Sequence, residues 1–89
     1  MRAVITVIGH DAVGILAKVS TRCSEYNANV IEVTQSVLQD MFAMIMLVDI
    51  SEVQVELAEL SKQCAELGKE IGMSIYMQHE DIFKAMHNV

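Results

Sequence analysis

From Ala3 to Ile8 nearly every residue is apolar and most are β-branched, the pattern of a strand covered on both faces. The run Gly9-His10-Asp11-Ala12-Val13-Gly14 interrupts it, and from Ile15 the period becomes helical. Ile15, Leu16, Val19, Cys23 and Tyr26 form one stripe, with Lys18, Arg22 and Glu25 between them. Asn27, Ala28 and Asn29 end that helix. Val30 to Leu38 alternates, with Ile31, Val33 and Val37 on one side and Glu32, Thr34 and Ser36 on the other, as a half-exposed strand does. Gln39 and Asp40 form a hairpin link to Met41–Val48, a second almost wholly apolar strand.

Ser51-Glu52-Val53-Gln54 has capping-box spacing and predicts the start of a second helix, with Glu52 placed where the helix dipole favours a negative charge. Val53, Leu57, Leu60, Cys64, Leu67 and Ile71 then form a narrow seam that suits a helix lying on a sheet, stopped by Gly72. Gly68 lies inside this pattern at a cost of about 1 kcal/mol relative to Ala. Met73 to Gln78 alternates again, and Asp81 to His87 predicts a short helix with Ile82, Phe83 and Met86 on one side. The order is β-α-β-β-α-β plus a helical tail. Right-handed crossovers put both main helices on one face of a four-stranded antiparallel sheet, which is the α+β ferredoxin-like sandwich, as a single domain over residues 1–89.

Composition narrows the function classes. At 89 residues the chain holds one domain, and 53% hydrophobic content excludes disorder. A formal charge of −6 is the wrong sign for a phosphate-binding surface, so nucleic acid is not an expected partner. No stretch approaches the ~18 apolar residues of a membrane span, and the first apolar run is too short for a secretion signal. Cys23 and Cys64 are too few for a disulfide framework and read as buried thiols of a cytoplasmic protein. Met41–Val48 is apolar on both sides, yet the two main helices can cover only one. The uncovered side predicts a homodimer or higher even assembly that buries either the bare sheet face or strand edges.

Catalytic readings lack their residues. Gly9 to Gly14 carries no Arg or Lys for a phosphate cradle and no Cys pair for a metal ion, and Phe42 is the sole aromatic in the two apolar strands that a base-stacking surface would use. His10 and Asp11 are neighbours whose side chains diverge, and no nucleophile accompanies them. His79, Glu80, Asp81 and His87 match no metal-ligand spacing and read as a polar tail, while Glu52, Glu56, Glu59, Glu66 and Glu70 read as a solvated face. No catalytic set, metal or cofactor is expected. The first loop remains. Asp11 either caps the helix, or loop and helix start form a pocket for a small anion or carboxylate; Gly14 permits both. Asn27 and Asn29 are ordinary helix stops, or Asn29 offers its amide to a ligand's ammonium and carboxylate.

Gly9 through Ser20, followed fifteen residues after Gly14 by Asn29-Val30-Ile31, resembles an ACT domain, whose members show an Asp/Asn-x-x-Gly loop, two aliphatics, and a helix leading to an Asn-Ile-like strand start. The resemblance spans nearly the whole chain and is nearest to small stand-alone bacterial ACT proteins and to the repeats of glycine-cleavage-type regulators, also through Gln39 to Met46. It implies a non-catalytic regulatory module that binds an amino acid or similar metabolite between paired domains. By position, the implied ligand-binding residues are Asp11, Ala12, Val13, Gly14 and Ile15 in the loop and Asn29 and Val30 at the strand start. Val13 stands where many ligand-binding members have Pro, and Gly9 stands where some serine-binding members have His, with His10 one position off. A separate protein partner is expected for a chain without its own enzyme. The alternative is a dimerisation or docking module with no small-molecule ligand.

Overall fold

A computed structural model describes residues 1–10 and 13–86. Its elements are β1 (Arg2–Gly9), α1 (Ile15–Glu25), β2 (Asn29–Leu38), β3 (Met41–Asp49), α2 (Leu57–Ile71), β4 (Ser74–His79) and α3 (Glu80–Met86). The strands form one antiparallel sheet in the order β2-β3-β1-β4, the expected ferredoxin-like arrangement. Registered pairs share a face. Ile5 lies between Met46 and Met77, and Val7 between Met44 and Ile75. These side chains and Ala3, Phe42 and Val48 form one core with Ile15, Val19 and Cys23 of α1 and Leu60, Cys64 and Leu67 of α2. Both main helices therefore cover the same face.

Three local features differ from the sequence expectation or explain it. The second helix begins at Leu57, not at Ser51, and its N-cap is Glu56. Ser51 is already committed: its N–H donates to Asp49 Oδ1 at 2.8 Å, and its Oγ accepts from the Met1 ammonium at 3.0 Å. Ile50 N–H donates to the Met1 carbonyl, so this segment follows β1 rather than coiling. On β2 a bulge between Val30 and Glu32 breaks the alternation, so half-buried Val30 and Val33 turn towards the core while Ile31 is exposed. Gly68 has a packing reason. A Cβ there would sit 2.6 Å from the Met73 carbonyl oxygen, so only glycine lets α2 close onto β4.

The α1 terminus follows the expected logic. Asn27 takes a left-handed φ of 62°, and the N–H of Ala28 donates to the Cys23 carbonyl at 2.9 Å, which satisfies carbonyls the helix leaves open. The tail helix brings what periodicity could not locate. α3 begins at Glu80 rather than Asp81, and its expected last residue, His87, lies outside the described residues. It folds onto the second face of the sheet against β1 and β4, where Val4 is buried. Arg2 pairs with Glu80, and the Gln78 amide donates to Met86 Sδ at 3.1 Å. Beyond the Thr6 row the second face is open, with Ile8, Met41, Ile45 and Tyr76 exposed.

Candidate functional site

The candidate residues fall at the two ends of α1. At its start Gly14 occupies the N-cap with φ 71°, a conformation that strains any residue with a Cβ. Gly14 brings no side chain, and among the described residues none caps this end, so amides of the first turn face the loop with the positive end of the helix dipole. Ile15 is buried and anchors the turn in the core, while Val13 is exposed. Asp11 and Ala12 lie outside the described residues. The β2–β3 hairpin stands beside this loop: Gly9 pairs with Phe42, and His10 Nδ1 is 3.6 Å from Asp40 Oδ2. Both groups of that pair are largely exposed, so water screens it.

At the far end of α1, Asn29 and Val30 open β2. A cavity of about 740 Å³ lies beside them, lined by Ser20, Ser24, Asn27, Asn29, Glu52 and Gln54 among others. Its groups suit a small zwitterion: a carboxylate for an ammonium, and amides and hydroxyls for a carboxylate. Among the described residues, no nucleophile with a partnered base lines it. Ser20, Ser24, Glu52 and Gln54 were not expected here. Ser20 and Ser24 share one helix side at i, i+4, a legible signal. Glu52 and Gln54 were hidden because their spacing reads as a capping box.

One chain does not bring the two ends together. The eleven residues of α1 separate Gly14 from Asn29 by about 16 Å of helix. On β3 their levels are marked by Phe42 and Asp49, seven residues or about 23 Å apart. Nearby Asp49 has its carboxyl held below the ordinary range, first by the hydrogen bonds from Ser51 and then by the charges of the N-terminus and Arg2. Burial pushes the Cys23 and Cys64 thiols up to about 11, which keeps them protonated and unreactive at neutral pH. His79 Nδ1 accepts the Asp81 N–H at 3.1 Å and is thus tied to the start of α3.

The model of the ACT domain matches residues 2–78. This chain belongs to the ACT domain family. A UPF0237 protein of Methanopyrus kandleri is 48% identical over 88 residues, 99% of this chain and 98% of that protein. Among solved structures, an ACT domain protein from Streptococcus pneumoniae superposes with a TM-score of 0.83 at 33% identity, covering 98% of both chains. The regulatory subunit of aspartate kinase from Thermus thermophilus gives a TM-score of 0.65 at 25% identity, covering 86% of this chain and 50% of that one. The ACT fold of this chain thus stands alone in some relatives and forms part of a regulatory subunit in another.

Proposed function

We propose that this ACT domain is a non-catalytic regulatory domain that binds an amino acid or similar small metabolite at an interface between two subunits. The observation that carries the reading is the separation of the half-sites, Gly14 at one end of α1 and Asn29 at the other. A single chain leaves each incomplete, whereas an antiparallel pairing of two chains exchanges top and bottom. β2 suits that pairing: it is an edge strand of ten residues, and an edge of that length is a template for another strand. Two β2 strands related by a two-fold axis set Asn29 of one chain opposite the Leu38 end of the other, beside its Gly9–Gly14 loop. The ligand carboxylate then meets the amides at the start of α1, and Asn29 and Glu52 of the second chain hold the ammonium. The aspartate kinase neighbour, a regulatory subunit, supports regulation as the class of role.

Thermal unfolding against the twenty amino acids tests the reading. A ligand at 100 times its Kd adds about 2.7 kcal/mol of stability. Asn29→Ala and Gly14→Ala remove that gain, and Asn29→Ala leaves the particle mass unchanged. No gain from any amino acid, purine or small organic acid sinks the proposal and leaves an interaction module without a ligand.

A further inference from the structure

β4 is the second edge of the sheet, and it carries none of the features that keep edges from pairing. Its register with β1 runs unbroken from Ser74 to His79, whereas β2 is bent by the bulge after Val30 and carries Glu32. The run Ser74-Ile75-Tyr76-Met77-Gln78-His79 contains no Pro and no Lys, Arg, Asp or Glu. Half of the backbone N–H and C=O groups of an edge strand point away from its neighbour. Among the described residues, no turn, loop or cap makes a backbone hydrogen bond to Ser74–His79, so a row of donors and acceptors about 20 Å long faces outwards.

A cavity of about 610 Å³ wraps around that edge. On one side of the sheet it is bounded by Ser61 and Ala65 of α2. On the other it runs past Tyr76 and Thr6 to Ile45, with Phe83 and Met86 of α3 as its wall. Ile45 lies two strands in from β4, about 10 Å, so this half is deep enough for a large side chain laid across the sheet. The α2 half is walled by small residues, and Ala65 has exposed Lys62 and Lys69 as its neighbours at i−3 and i+4. Among the described residues neither lysine is in an ion pair, while Glu66 and Glu70 lie on the α1 side of the helix with Arg22. A compact small molecule cannot fill both halves, because the strand lies between them. An extended peptide can, because its alternate side chains turn to opposite faces.

We infer that β4 takes up an extended segment of a partner protein as an additional strand. Its apolar side chains, aromatic or long, lie beneath α3 against Tyr76 and Ile45, and the acidic side chains that alternate with them stand beside Lys62 and Lys69. Main-chain hydrogen bonds along Ser74–His79 give affinity, and the two kinds of alternate side chain give selectivity. A second copy of this chain is the poorer occupant: a two-fold pairing of β4 edges sets one α2 row beside the other, lysines included. The inference does not rest on the amino-acid reading, since β4 and β2 are opposite edges of the sheet.

The probe is a phage-displayed library of random heptapeptides selected against the full chain. The enriched sequences alternate apolar with acidic residues. A synthetic peptide of the dominant sequence shifts the backbone amide NMR signals of Ser74–His79 and leaves those of Asn29–Leu38 in place. Tyr76→Glu, at an exposed position, weakens that peptide by about tenfold or more with an unchanged far-UV circular dichroism spectrum. Replacing Lys62 and Lys69 together with Glu weakens it about tenfold and removes most of its dependence on salt. No enrichment, enriched sequences without alternation, or a Tyr76→Glu variant that holds the peptide as tightly as the wild type overturns the inference. So does a particle mass, read by light scattering, that falls on Tyr76→Glu, because a second copy then occupies this surface.

Discussion

Met46 and Ile45 are neighbours on β3, one fully buried and the other 40% exposed. The strand offers apolar side chains in both directions, and the difference lies in what covers them. On the first face α1 and α2 close over Met44 and Met46 and complete a core. On the second, α3 covers one end and leaves the other to solvent. The comparison separates two uses of hydrophobic surface that composition merges. One face holds the chain folded, and the other stays half exposed.

The contrast is broken most strongly at the covered face. Met46→Ala removes a fully buried side chain and costs about 2–5 kcal/mol, read as a lower urea midpoint. Next comes Gly68→Ala. Helix propensity alone favours Ala by about 1 kcal/mol, but the Met73 carbonyl in its way turns the change into a loss of about 1–3 kcal/mol; a stabilised variant would refute the close approach of α2 to β4. The covered face also sets an alkaline limit. An unfolded thiol ionises near 9 and the buried ones near 11, so protons are held longer by the folded chain and stability falls between pH 9 and 11. Replacing both cysteines with Ala flattens that stretch of the stability profile. The smallest effect belongs to the open face. Ile45→Ser changes unfolding by no more than about 0.5 kcal/mol when measured at nanomolar concentration, where association contributes nothing.

The fold was legible because each strand and helix carries its own period and the crossovers admit one arrangement. Two misreadings and one gap have physical causes. Ser51 fits a capping box, but the Met1 amine and Asp49 compete for it, and a contact fifty residues away in sequence is invisible to local spacing. Ile31 alternates correctly with Val33, but one bulge shifts the register and turns it outwards. α3 reads as an amphipathic helix without saying which face it covers, since nothing in its seven residues points to Val4. The candidate site was legible only in its two halves. Gly14 and Asn29 can each be picked out by turn chemistry and strand position, while their separation along α1 is a property of the fold.

β1 and β4 are neighbours, and Ala3 lies opposite His79, so the polypeptide enters and leaves the sheet at one end through a gap of about 4.8 Å. Such a unit can be spliced into a loop of a larger protein, or duplicated in tandem, without stretching its host. The splice has a condition. A host that carries the chain away directly after His79 lifts α3 and lays Val4 bare, so a well-behaved fusion must either keep residues 80–86 or supply its own cover for that end of the sheet.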